Sequence, residues 1–265
     1  MKVFILLALA LSAVSAEFLK QVHPKDLPKS TKIEGRIVNG YPATEGKAPY
    51  AVGLSFNGEW WCSGSIIAHD WVLTAAHCTH DASSVTIYYG ATWRTKAQFT
   101  HHVGSSEFRQ NHNWPHENGN DIALIRTPHV DFGHTVNKVE LPSFNDRYDM
   151  YDNSWAVTCG WGGTYTGSPL PDWLRCVDQQ IISNSKCSQS YGGLNDGILC
   201  VSTTDGKSTC SGDSGSALVL HNGHKLVGVA SFVTSGDCSS GAPDGFTRVT
   251  HQLEWIRDNS GVAYY

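Results

Sequence analysis

Beyond residue 16 the chain has no long apolar run. Short strand-like runs alternate instead with Gly, Asn, Ser and Pro, as at Ala51-Val52-Gly53-Leu54, Val85-Thr86-Ile87-Tyr88-Tyr89 and Lys225-Leu226-Val227-Gly228-Val229-Ala230. Runs this short suit strands better than helices, and the residues between them supply turns. The pattern predicts an all-β sandwich or barrel. One segment breaks it: His251-Gln252-Leu253-Glu254-Trp255-Ile256-Arg257 places apolar residues near helical spacing and predicts a C-terminal helix. There are no internal repeats and no low-complexity linker.

Eight cysteines, the first at position 62, constrain the compartment. An even count suits disulfides formed where conditions are oxidising. The N-terminus agrees. Met1-Lys2 precedes an apolar run over residues 3–11, with small residues at Val14 and Ala16, the pattern of a secretory signal peptide spanning residues 1–16. That run is too short to cross a membrane comfortably. Residues 17–36 are polar, contain Pro24 and Pro28 and lack cysteine, which predicts a propeptide with no fold of its own. Removing residues 1–36 takes away six of the 19 basic and three of the 24 acidic residues, leaving 13 against 21 and a net charge of −8 with His neutral. That balance argues against nucleic acid or an anionic membrane as partner. The expected product is a secreted, extracellular monomer.

The segment Cys210-Ser211-Gly212-Asp213-Ser214-Gly215-Ser216 sets one serine between glycines with an aspartate before it. A serine hydroxyl is a poor nucleophile until a base takes its proton. The glycines permit a tight turn that aims backbone N–H groups at a developing oxyanion. Alone, the string also fits a glycine-rich surface loop. Two other segments change its weight. Leu73-Thr74-Ala75-Ala76-His77-Cys78 supplies a histidine beside a cysteine that could tether its loop. Asn120-Asp121-Ile122-Ala123-Leu124-Ile125 supplies a carboxylate at the head of an apolar run that reads as a buried strand. The order His, Asp, Ser is one of the convergent orders of the serine-protease triad.

With these residues the chain resembles the trypsin/chymotrypsin-like serine proteases, and among them the brachyurins and insect midgut proteases. Arg36-Ile37-Val38-Asn39-Gly40 is similar to the family's activation site, cut after Arg36. Trp61-Cys62-Ser63-Gly64-Ser65, Gly160-Trp161-Gly162 and Pro243-Asp244-Gly245-Phe246-Thr247-Arg248-Val249 also have family counterparts. The resemblance implies two packed six-stranded antiparallel β-barrels with a C-terminal helix, in a catalytic domain over residues 37–265. It implies disulfides Cys62–Cys78, Cys187–Cys200 and Cys210–Cys238, and with them Cys159–Cys176, which departs from the mammalian pattern. Ser214 would be the nucleophile, His77 the general base and then acid, and Asp121 the group that orients His77. The N–H groups of Gly212 and Ser214 would form the oxyanion hole. Ser231 and Val233 would pair, backbone to backbone, with an extended substrate.

In the family, Asp213 would pair with the α-ammonium that cleavage creates at Ile37. Two departures bear on that region: Trp60 stands where some relatives carry a histidine that holds this aspartate before cleavage, and Ser216 replaces a usual glycine. No cofactor or metal is expected. No Cys-x-x-Cys pair or clustered His/Cys set is present, and Gly90-Ala91-Thr92-Trp93-Arg94 lacks the paired glutamates of the family's calcium loop. His101, His102, His112 and His116 read as surface residues of a polar segment.

Specificity is divided. Ser208 occupies the pocket floor, where trypsin-like members carry Asp. Val233 replaces a glycine on one wall and Asp244 a glycine on the other. Brachyurins and related insect enzymes share that Asp. Asp244 either hydrogen-bonds to Ser208, shrinking the pocket for small or medium apolar residues, or stays open to Lys and Arg side chains. A buried carboxylate needs partners or loses its charge. The expected partners are protein or peptide substrates and an activator, which is another protease or the enzyme itself. Absence of any regulatory module suits digestion, with the gut lumen as location. A cascade protease of immunity or development is the alternative enzyme, and a non-catalytic binding homologue the alternative from another class.

Overall fold

The computed structural model describes residues 21–23, 37–115, 119–234 and 237–262. The signal segment 1–16, Arg36, His116 and most of the propeptide lie outside the described residues. Two short strands come first, β1 (Gln21–Val22) and β2 (Tyr41–Pro42). Seven follow: β3 (Ala51–Phe56), β4 (Trp60–Ala68), β5 (Trp71–Thr74), β6 (Ser84–Tyr89), β7 (Phe99–Gly104), β8 (Phe108–Gln110) and β9 (Ala123–Arg126). They pair antiparallel in the order β7-β6-β3-β4-β5-β9-β8. The two ends of this sheet, β7 and β8, are separated in sequence only by the turn Ser105–Glu107. The sheet must therefore curl back on itself, with β7 and β8 as two arms of one bent strand.

The second barrel comprises β10 (Trp155–Gly160), β11 (Arg175–Ile182), β12 (Ile198–Val201), β13 (Ala217–Leu220), β14 (Leu226–Thr234) and β15 (Asp244–Arg248). The order is β14-β13-β10-β11-β12-β15, and β15 pairs back to β14, which closes the ring. All of β14 is buried, whereas β6 alternates buried with half-buried residues. A strand covered on both faces reads as a continuous apolar run, and one facing water on one side alternates. Trp161, fully buried just after β10, meets Trp61 of β4 edge-on with ring centroids 6.1 Å apart, so the two barrels share one core. Four disulfides join Cys62 to Cys78, Cys159 to Cys176, Cys187 to Cys200 and Cys210 to Cys238. Cys159 and Cys176 are directly opposed on β10 and β11.

Helices are few: α1 (Ala76–Thr79), α2 (Asn184–Tyr191) and α3 (Leu253–Ser260). The C-terminal helix starts later than its sequence spacing suggests, because Val249–Gln252 forms a 3-10 turn first. Sequence periodicity gives no sign of α2, whose only buried residues are Cys187 and Tyr191. It is held by Ser183, which caps Lys186 N, and by the Cys187–Cys200 bridge. Residues 21–22, in the segment expected to lack a fold of its own, form a strand by pairing. This β1 adds antiparallel to the end of β14, with Gln21 opposite Thr234 and Val22 opposite Val233. No helix among the described residues is long and apolar enough to cross a membrane.

Candidate active site

His77 lies on the one-turn helix α1 that follows β5, and the next residue is bonded to Cys62 of β4. The turn and the disulfide together fix the ring against the first barrel. Asp121 reaches it from the loop before β9. Its Oδ1 accepts from the His77 backbone N–H at 2.9 Å, and its Oδ2 lies 2.7 Å from His77 Nδ1. An ionised carboxylate only accepts, so Nδ1 carries the proton and Nε2 is left basic. The second barrel secures the carboxylate. Ser231 Oγ of β14 donates to Oδ2 at 2.6 Å, and Thr247 Oγ1 of β15 donates to the Asp121 carbonyl at 2.8 Å. Farther along, Gln252 Nε2 donates to the Gly119 carbonyl and to Asn120 Oδ1, and Gln252 Oε1 accepts from Asn111. Sequence reasoning gave Ser231 a backbone role only and missed Thr247 and Gln252. A lone hydroxyl or amide carries no local signal of a partner more than a hundred residues away.

Burial alone would raise the Asp121 pKa. The charge and hydrogen bond of His77, then His23 and the Ser231 hydroxyl, outweigh it and hold this carboxyl well below the usual carboxylate range. Two groups of potential metal ligands meet here, Cys62 and Cys78 with His77, and His23, His77 and Asp121. The sulfurs of the first are spent in a disulfide. In the second, the His77–Asp121 hydrogen bond already holds two of the three.

Ser214 arrives on the turn before β13. Gly215, at φ +82°, presses against Ser63 and Ala75; a Cβ there would collide with the Thr74 hydroxyl and the Ser63 carbonyl. Ser63 N–H donates to the Ser214 carbonyl at 2.8 Å. The serine is thereby seated beside the end of β5, which leads into His77. Its hydroxyl is buried and has no hydrogen-bond partner. The turn also sorts its own amides. The Ser211 carbonyl accepts from Gly163 N–H at 2.7 Å, and the Asp213 carbonyl from Ser216 N–H at 2.9 Å. A trans peptide points its N–H opposite its carbonyl. The N–H groups of Gly212 and Ser214 are therefore turned away from these contacts, and neither donates to a backbone carbonyl among the described residues. Two such donors beside a serine, a basic imidazole and an orienting carboxylate are the parts needed for acyl transfer.

Residues 37–256 match the family model described as Trypsin. The chain belongs to the trypsin family. It is 62% identical over 235 residues to Serine protease 1 of Drosophila melanogaster, covering 88% of each chain. It is 36% identical to brachyurin of Leptuca pugilator over 86% of this chain and all of that one. The solved structure of HL collagenase superposes with a TM-score of 0.79 at 36% identity, covering 86% of this chain and 100% of that one. As a trypsin-family serine endopeptidase, the protein acts on peptide substrates.

Asp213, the trypsin-family aspartate beside the serine, is fully buried. It accepts from Gly162 N–H at 2.8 Å and Cys210 N–H at 3.0 Å, and has no cationic partner among the described residues. Burial pushes its pKa up to about 7; the two N–H donors oppose that rise and the charge of Asp244 adds to it. Gly162 makes the seat possible, since a Cβ there would overlap the carboxylate. Gly162→Ala is expected to displace Asp213 and lower the activity of the cleaved enzyme by about tenfold or more, because overpacking at such a site costs about 1–3 kcal/mol. Activity per mole of cleaved enzyme, measured against wild type, checks it. Trp60 lies elsewhere, with Nε1 donating to the Cys78 carbonyl. Ser216 is buried, and its hydroxyl packs against Gly160.

Asp244, expected on a wall of the specificity pocket, is buried and hydrogen-bonded at both oxygens. Its Oδ1 accepts from Ser208 Oγ at 2.8 Å. Its Oδ2 accepts from Thr209 N–H at 2.7 Å, Thr209 Oγ1 at 3.1 Å and Gln179 Nε2 at 3.3 Å. Burial pushes the group up to about 6, against those hydrogen bonds, which pull it down. Val233 is buried and packs with Val38 and the Cys210–Cys238 bridge. Phe232 lays its ring over Gly245 and meets Tyr191 edge-on at 5.3 Å. Gln179 is a partner of Asp244 that sequence reasoning missed.

Proposed function

We propose that the protein is a secreted digestive endopeptidase, made as a zymogen and activated by cleavage after Arg36, that cuts after small or medium apolar residues. Ser214 Oγ adds to the scissile carbonyl carbon as its proton passes to His77 Nε2. Asp121 stabilises the imidazolium, and the N–H groups of Gly212 and Ser214 receive the oxyanion. The imidazolium returns the proton to the leaving amine, and water repeats the sequence on the acyl-enzyme. The substrate lies as an added strand along Ser231 and Val233. Four disulfides fit an extracellular protein, and a collagenase and a brachyurin are among its relatives.

The observation that carries the catalytic reading is the pair of N–H groups of Gly212 and Ser214, which donate to no backbone carbonyl among the described residues, set next to the His77–Asp121 couple. A serine-directed phosphonofluoridate is expected to label Ser214 in the cleaved enzyme, and an unlabelled serine would make the protein a non-catalytic homologue. The specificity reading rests on Asp244. Ser208 Oγ, Thr209 N–H, Thr209 Oγ1 and Gln179 Nε2 already point at this carboxylate, which leaves it closed to Lys and Arg side chains. Digestion of a peptide library should yield Ala, Val, Leu or Met before the cut. A main product set ending in Lys or Arg would overturn this reading and leave the catalytic one standing.

A further inference from the structure

Residues 21–23, the described part of the expected propeptide, lie against β14 and His77. Most of β14 pairs with β13 and β15, but Val233 and Thr234 continue past the last β15 pairing at Phe232. That free end is where β1 adds. The next residue, His23, stacks its ring on His77 with centroids 4.1 Å apart and planes inclined by 20°, and Trp114 stands 6.2 Å away. His23 Nδ1 is 2.7 Å from the Ser231 carbonyl and 3.4 Å from Asp121 Oδ2. Three residues of the leader thus touch the substrate edge, the base and the orienting carboxylate at once. His77 and Ser214 are both buried, although a working nucleophile must be reachable.

We propose that residues 21–23 are a built-in inhibitor that binds the cleft as a substrate does but is not cut. The inference rests on reading Ser231–Val233 as the substrate edge. A substrate offers the Ser231 carbonyl a backbone N–H. Here the His23 side chain takes that carbonyl, and the following residue, Pro24, has no N–H to offer. The segment mimics a strand up to the position over His77 and lacks the backbone donor needed beyond it. It carries no cysteine, so cleavage after Arg36 frees it to leave. Activation then has two parts, a new N-terminus at Ile37 and an emptied cleft.

Two measurements test this together. First, a synthetic peptide of residues 17–36 is added to the cleaved enzyme during hydrolysis of a fluorogenic peptide. It should inhibit competitively, and His23→Ala in the peptide should weaken inhibition about tenfold, the worth of one hydrogen bond and one ring stack. Second, amide hydrogen exchange is followed in the uncleaved chain carrying Ser214→Ala. Val233 and Thr234 should exchange slowly, and faster when residues 17–25 are deleted or His23→Ala is introduced. Absent or non-competitive inhibition overturns the proposal, and so does exchange at Val233 and Thr234 that the deletion leaves unchanged. If the cleaved protein hydrolyses nothing, the catalytic reading fails, while the exchange measurement still decides whether the leader occupies the cleft.

Discussion

Asp121→Asn is expected to lower kcat of the cleaved enzyme by about 10⁴-fold, the magnitude established for the corresponding change in this family. The cause lies in donor direction. In the wild type both carboxylate oxygens only accept, from the His77 N–H, His77 Nδ1 and Ser231 Oγ. An amide in the same space must turn its NH₂ toward one of these donors or force Nδ1 to accept. If Nδ1 accepts, the ring proton moves to Nε2, which can no longer take the proton of Ser214. Because the folded pKa of Asp121 is depressed, its support of the fold is in place above the unfolded value near 4 and is lost only as pH falls below it. The working range therefore contains no titration of Asp121. Saturation kinetics normalised by unchanged near-ultraviolet circular dichroism check the result. A loss below tenfold would exclude Asp121 as the orienting group.

Asp213→Asn should act in opposite directions before and after cleavage. On the proposed activation after Arg36, Asp213 becomes the partner of the new Ile37 ammonium, and losing one member of a buried pair costs about 3–5 kcal/mol. Activity should fall by at least about 100-fold. In the wild type the paired ammonium titrates above its free value of about 7.7–8.0, so activity is full at neutral pH and declines as pH rises through the raised value. Before cleavage no such cation exists, and burial has pushed Asp213 up to about 7. A raised acid supports the fold fully below its unfolded value near 4 and withdraws that support as pH climbs through 7. The uncleaved Asp213→Asn chain should therefore gain stability relative to wild type between pH 4 and 8, by an amount on the order of 4 kcal/mol. Denaturant unfolding at both pH values measures this. A variant equally destabilised at both would show that the aspartate serves packing rather than a switch.

The parts of the site that sequence displayed are those written in contiguous residues. His77 beside a cysteine, Asp121 heading an apolar run and Ser214 among glycines each announce themselves within a few positions. The alternation of short apolar runs with turns was enough for an all-β fold, because a strand's burial pattern is local. Other features depend on where distant segments land. Gln179 and Thr209 share the Asp244 carboxylate across more than thirty residues of chain. The helix α2 hides behind a polar sequence, since a cap and a disulfide hold it in place of an apolar stripe. The leader β1 has no alternating pattern of its own, and its shape is set by the edge it meets. Asp244 could be read two ways from sequence, because the donors around it come from segments that sequence does not bring together.

Gln252 joins the loop carrying Asp121 to the start of α3, so the aim of the imidazole is set from the far end of the polypeptide. Every reactive group is synthesised before this brace exists. A chain whose translation stops short, or whose tail is nicked by a neighbouring protease, keeps its nucleophile and base yet cannot hold them in register. Deleting residues 252–265 is expected to abolish turnover even where the barrels refold, and a shortened enzyme with full kcat would refute that. Damage that removes Gln252 would retire an enzyme molecule, so only a chain that keeps its C-terminal helix and brace stays armed.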